Sequence, residues 1–159
     1  MAIQETTFGS KRYLTLKKSL AISQLADKQI YDEAGQKLGE YIQKHNLHRE
    51  GGWSVLYFTW DEVNQKTNIG IAFPMADLET VDDPELSIVD IPESQAALDV
   101  LNGPYEGLGQ VHAGLMKYVN EKQYDKTGVN VMAVEEYIVD PMSDSNPEKW
   151  VTNVYYLHK

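Results

Sequence analysis

Cysteine is missing from this chain of 159 residues. Disulfides, thiolate nucleophiles and zinc–thiolate sites are therefore excluded. Positive charge is scarce. Lys and Arg number 14 against 24 Asp and Glu, a net charge of −10 at pH 7. A surface that binds nucleic acid needs clustered Lys and Arg, so no direct DNA or RNA partner is expected. The acidity permits a cationic partner by long-range attraction, although it also serves solubility alone. No apolar run approaches membrane-spanning length, and the first twenty residues hold no signal-peptide core. A soluble, cytoplasmic protein without a membrane partner is expected. Metal-ligand spacings such as His-x-x-x-His or Glu-x-x-His do not occur, and neither does Gly-x-Ser-x-Gly or an ordered phosphate loop. No metal, cofactor or catalytic residue is assigned.

What the chain does have is a repeated phrase. Tyr31-Asp32-Glu33-Ala34-Gly35-Gln36 is echoed by Tyr105-Glu106-Gly107-Leu108-Gly109-Gln110, and Thr67-Asn68-Ile69 by Thr152-Asn153-Val154. Two anchors in the same order mark an internal duplication. An interface between duplicated halves is a common place for a small-molecule pocket.

Residues 1–10 read as a weakly ordered lead-in, and Tyr13 to Leu25 as an extended strand. Helical spacing of Ala34, Leu38, Tyr41, Ile42 and His45 predicts a helix over 31–46. Strands are expected over 53–60 and 68–75, joined by a polar hairpin loop. The acidic stretch 76–93 is a linker with room for one short strand. The order then repeats, with a strand over 95–101, a helix over 105–122 and strands over 129–139 and 150–157. The fold class is α+β: a duplicated strand–helix–strand–strand repeat, an antiparallel sheet and two helices, with pseudo-two-fold symmetry. Residues 1–159 form one ligand-binding domain, with repeat one at about 10–75, the linker at 76–93 and repeat two at 94–159. Gly35 and Gly109 recur at one helical position, which suggests close backbone packing on the sheet.

The strand over 129–139 is apolar on both faces except at Glu135 and Glu136. Neighbours on a strand face opposite ways, so one acid points to each side. If both faces are covered, one carboxylate is buried, and it needs a donor, a proton or a cation. An edge strand with both acids in water is the competing reading. Matching Gly52 with Gly128 sets Thr59 against Glu135 and Tyr57 against Ala133. Aromatic residues crowd these strands, among them Tyr57, Phe73, Tyr137, Trp150 and Tyr156. Such rings around one carboxylate suit a flat or greasy cation. His112 lies on the apolar stripe of the second helix and reads as a core residue.

These residues resemble the GyrI-like small-molecule-binding domains, which also serve as effector-binding parts of AraC-type and MerR-type multidrug regulators. The resemblance rests on Gly103-Pro104-Tyr105, Glu135-x-Tyr137, Asp140-Pro141 and Pro147-Glu148-x-x-x-Thr152-x-Val154, and covers about residues 10–157. It implies two strand–helix–strand–strand repeats with the ligand between them. It also implies a Glu on the penultimate strand, here Glu135, that pairs with a cationic ligand, and an aromatic, here Trp150, that lines the pocket. The first half departs from the pattern, with Lys28-Gln29-Ile30-Tyr31 in place of the Gly-x-Tyr turn. Ten residues before the first strand leave no room for a helix-turn-helix, so a stand-alone domain is expected.

The reading is a binding protein for small lipophilic or cationic molecules, with Glu135, Tyr137, Trp150, Tyr57, Phe73 and Tyr156 around the ligand. Two alternatives stay open. One is a hydrolase of reactive electrophiles that uses the pocket Glu. The other is a protein-interaction role such as gyrase modulation. Unpaired sheet edges leave a homodimer or another protein partner open.

Overall fold

The computed structural model describes residues 2–159. Its strands are antiparallel, and it contains two α-helices, so the protein is α+β. The chain divides into two compact units. The first is Ser10–Pro92, and the second joins Glu93–Lys159 to the residues up to Gly9.

In the first unit, β2 (Lys11–Ala21) leads through a short 3₁₀ turn into α1 (Lys28–Lys44). The Asp27 carboxylate caps α1 by accepting the Gln29 N–H at 3.0 Å, which satisfies one of the orphan donors of the first turn. Ala34, Leu38 and Tyr41 form the buried stripe. Strands β3 (Ser54–Asp61) and β4 (Lys66–Pro74) follow, then β5 (Leu86–Ile91). Strand β4 pairs with both β3 and β2, and β5 pairs with β2.

The second unit repeats this order. β6 (Ser94–Asn102) leads through a 3₁₀ turn at Tyr105–Gly107 into α2 (Leu108–Lys122), then β7 (Ala133–Val139) and β8 (Val151–His158). Strand β8 pairs with both β7 and β6. Its fourth strand is β1 (Gln4–Phe8), paired with β6. The lead-in expected to be weakly ordered is therefore a strand. Its sequence is polar apart from Phe8, so pairing with β6 defines it rather than an apolar pattern of its own.

Each unit thus completes its sheet with a strand from elsewhere in the sequence: β1 comes before the first unit, and β5 comes just after its repeat. The strand predicted from residue 129 begins at Ala133. Gly128 sits at φ 80° in the turn before it, and the backbone from there needs four more residues to reach the ladder.

Two expectations from the repeat are corrected. A Cβ on Gly35 or Gly109 would meet nothing within 4 Å, so close helix-to-sheet packing does not account for them. The crowded glycine is Gly70, where a Cβ would lie 2.5 Å from the Thr15 Cγ2. The pairing of Thr59 with Glu135 also fails. Across the ladder, Ile69 faces Tyr57 while Val154 faces Glu135, and Asn68 faces Thr59 while Asn153 faces Glu136. The Thr-Asn phrase therefore matches Tyr57 to Glu135 and Thr59 to Glu136. The side chains agree: Asn68 Nδ2 donates to Thr59 Oγ1 at 2.9 Å, and Asn153 Nδ2 donates to Glu136 Oε1 at 3.2 Å. The shift arises before the ladder: Tyr57 stands five residues after Gly52, whereas Glu135 stands seven after Gly128, and a bulge at Phe58 then takes up one of the two extra residues.

Candidate functional site

In the second unit, the face of the sheet that carries Ala133, Glu135 and Tyr137 also carries Thr152, Val154 and Tyr156, because these residues stand opposite one another in the ladder. Asp99 and Leu101 of β6 extend that face. Helix α2 covers it, since His112 reaches both Glu135 and Tyr156. The Glu135 side chain is consequently buried, at 3% exposure.

Three hydrogen bonds link this carboxylate into a chain of four residues. Tyr137 Oη donates to Glu135 Oε1 at 2.6 Å. His112 Nε2 lies 2.5 Å from Glu135 Oε2, and His112 Nδ1 lies 2.7 Å from Tyr156 Oη. Burial, and then the charge of Glu135, push the Tyr156 hydroxyl well above the ordinary tyrosine value, so it keeps its proton and is able to donate. One arrangement satisfies every group. Tyr156 donates to Nδ1, the neutral imidazole donates from Nε2 to Glu135, and Tyr137 donates to the other carboxylate oxygen.

A group of rings adjoins Tyr137. Tyr105 meets it edge-on at 5.5 Å between centroids and stacks on Trp150 at 4.7 Å. Trp150 is fixed by its indole N–H, which donates to the Asp144 carbonyl at 2.8 Å. Both Tyr105 and Trp150 are partly exposed. The Tyr105 hydroxyl is buried without a hydrogen-bond partner. Burial first, then Asp140 and Glu135, raise its pKa to about 12.

The structure thus brings together Glu135, Tyr137 and Tyr156 in one network, with Trp150 one ring away. Tyr57 and Phe73 belong to the first unit. Tyr57 is buried on β3 with its ring 6.3 Å from Trp60, and Phe73 is buried on β4 under the Arg49 guanidinium at 4.9 Å. Sequence reasoning missed His112 and Tyr105 as members of the site. His112 does lie on the buried stripe as read, but it is the polar link of that stripe. Tyr105 opened the repeated phrase and closed the Gly103-Pro104-Tyr105 motif, but neither placed its ring beside Tyr137.

Matched position for position, the two units differ at the network. The Tyr-x-x-x-Gly-Gln phrase sets Leu38 against His112. The Thr-Asn phrase sets Ile71 against Tyr156, and the ladder sets Tyr57 against Glu135 and Trp60 against Tyr137. Leu38 and Ile71 are fully buried apolar residues. The fold is therefore built once with apolar or aromatic side chains at these positions and once with a polar chain.

The first unit also has an open hollow of ≈ 710 Å³ whose lining includes Arg12, Glu50, Pro74, Met75 and Asp90. Its charges are engaged: Arg12 Nε and Nη2 donate to the two Asp90 carboxylate oxygens at 2.7 and 3.0 Å, and Glu50 accepts the Ala76 N–H. None of the six expected ligand residues lines it. Among the described residues, no group of three or more His, Asp or Glu is arranged to hold a metal. No helix among them is long and apolar enough to cross a membrane.

The model of the GyrI-like small molecule binding domain matches residues 1–159. The chain belongs to the GyrI-like family. Solved structures of low identity share the fold of this GyrI-like domain. The EcmrR C-terminal domain superposes with a TM-score of 0.79 at 16% identity, covering 99% of this chain and 97% of that one. In the EcmrR–DNA complex, the GyrI-like chain spans 57% of the EcmrR chain, with a TM-score of 0.80, 16% identity and 99% of its own length covered. SAV2435 bound to tetraphenylphosphonium gives a TM-score of 0.67 at 16% identity, covering 100% and 94%. A hydrolase from Listeria innocua gives 0.62 at 16% identity, covering 97% and 90%. No curated protein matches the sequence.

Proposed function

We propose that this GyrI-like domain, acting as one ligand-binding domain over residues 1–159, binds small amphipathic cations beside Glu135. Tyr137, Tyr105 and Trp150 form the aromatic wall. One observation carries the reading. A buried carboxylate and its polar partners occupy positions that the matched unit fills with Leu38, Ile71, Tyr57 and Trp60. Apolar packing of such positions is often as stable as a buried polar network or more so, which makes stability a poor reason for the polar version. A carboxylate in low dielectric attracts a cation more strongly than one in water, and ring faces favour a cation further. The tetraphenylphosphonium bound to SAV2435 is a ligand of this class.

The test is titration with tetraphenylphosphonium, read by tryptophan fluorescence and calorimetry, on the parent and on Glu135→Gln. The amide keeps the shape and removes the charge. At least about tenfold weaker binding is expected, equivalent to about 1.4 kcal/mol. Equal affinity in the two proteins rules out charge pairing at Glu135.

Hydrolysis of an electrophile is the second reading, favoured by the contact of Glu135 with His112, an arrangement suited to activating water. Recovery of the ligand unchanged after prolonged incubation counts against it.

A further inference from the structure

We propose that His112 sets the charge this site accepts, by gaining or losing one proton against Glu135. The inference rests on the cation-binding reading and adds the residue that tunes it.

The geometry leaves His112 two states. With the imidazole neutral, Nε2–H donates to Glu135, Nδ1 accepts from Tyr156, and the four-residue network carries one negative charge. It then balances one monovalent cation. Protonation places a second hydrogen on Nδ1, and Tyr156 must turn its own hydroxyl hydrogen away. The network now carries no net charge, and the imidazolium is itself the cation paired with Glu135. A permanent cation that binds must expel that proton from Nδ1 to solvent. Neutral amphipathic ligands face no such competition.

The surroundings bear on His112 from each packed element. Glu135 and Tyr137 face it from β7, Tyr156 from β8, and Asp99 lies on the same face of β6, buried, one strand beyond Val154. Tyr105, in the turn before α2, senses both Glu135 and Asp140. Glu135 accepts from Nε2 in either state, and the Tyr156 hydroxyl, which can donate or accept, serves Nδ1 in both. The matched residue of the first unit is Leu38, which has no proton to exchange. The His112 side chain is 19% exposed, so protons reach it.

The experiment measures the affinity for tetraphenylphosphonium, which has no proton of its own, from about pH 5 to about pH 8. Triphenylphosphine oxide serves as the neutral counterpart. In the parent, cation affinity is expected to fall by about tenfold per pH unit on the acid side of the His112 midpoint, the slope for one proton per ligand. Affinity for the neutral oxide stays level. His112→Gln keeps a donor to Glu135 but does not titrate, and its cation profile is expected to be flat.

A His112→Gln profile as steep as that of the parent overturns the proposal and assigns the titration to another group, such as Glu135. A flat profile in the parent overturns it as well. In these two cases cation binding itself survives. If the parent binds the oxide and the phosphonium alike at every pH, or neither at any pH, the cation-binding reading fails first and takes this proposal with it.

Discussion

At the residue scale, Tyr105 and Tyr137 separate packing from hydrogen bonding. The two rings meet edge-on with centroids 5.5 Å apart, but their hydroxyls differ. That of Tyr137 donates to a buried carboxylate, whereas that of Tyr105 is buried without a partner. A buried unsatisfied hydroxyl costs about 1–3 kcal/mol, and a hydrogen bond to a charged group contributes about 1.5–3 kcal/mol. Tyr105→Phe keeps the stack on Trp150 and is expected to leave stability unchanged or raise it by about 1 kcal/mol. Tyr137→Phe is expected to lower it by about 2 kcal/mol. Urea unfolding of both variants decides the point, and a larger loss in Tyr105→Phe contradicts the hydrogen-bond assignment. Part of the candidate network was legible in sequence. Glu135, Tyr137 and Trp150 came from strand alternation and motif and Tyr156 from the crowding of aromatics on the strands, whereas Tyr57 and Phe73 lie in the other unit. His112 was not legible, because helical periodicity shows which face a residue lies on but not what waits across from it.

Helices and long strands were legible at the element scale, since their apolar periods are strong. Features that depend on a partner were not. β1 reads as polar coil until β6 supplies the ladder, and a longer approach from Gly128 to Glu135 than from Gly52 to Tyr57 moved the residue matched to Glu135 from Thr59 to Tyr57. The glycines illustrate the same limit. Repetition at Gly35 and Gly109 suggested tight packing, yet a Cβ there meets only open space. Gly35→Ala, in the interior of α1, is therefore expected to raise stability by about 0.5–1 kcal/mol through helix propensity and a less flexible unfolded chain. Gly70→Ala is expected to do the opposite. Its Cβ would approach the Thr15 Cγ2 to 2.5 Å and the Phe58 ring to 3.1 Å, contacts that force the strand pair to shift. Thermal melts of the two single variants should move in opposite directions.

Taken as a whole, the molecule completes each unit with a strand drawn from outside its strand–helix–strand–strand repeat. β5 is the case that ties sequence, pairing and charge together. It joins β2 at the sheet edge, and the pairing sets Arg12 opposite Asp90. Arg12 binds both carboxylate oxygens of Asp90, and its Nη1 donates to the Leu78 carbonyl at 2.7 Å, which fastens the start of the stretch expected to be linker. That hydrogen bonding, with the guanidinium charge behind it, holds the Asp90 carboxyl below the usual carboxylate range. A folded-state pKa below the unfolded value means that the contribution is complete above the unfolded value, about 3.9. It is lost as the pH falls through the lower folded value. Asp90→Asn should consequently be less stable than the parent at neutral pH, by a small margin because the pair is exposed and solvent-screened. The difference should close as acid protonates the parent's carboxyl. Urea midpoints at neutral pH and at about pH 3 measure both ends. A gap that persists unchanged in acid would show that Asp90 holds β5 by geometry alone and that its charge contributes nothing.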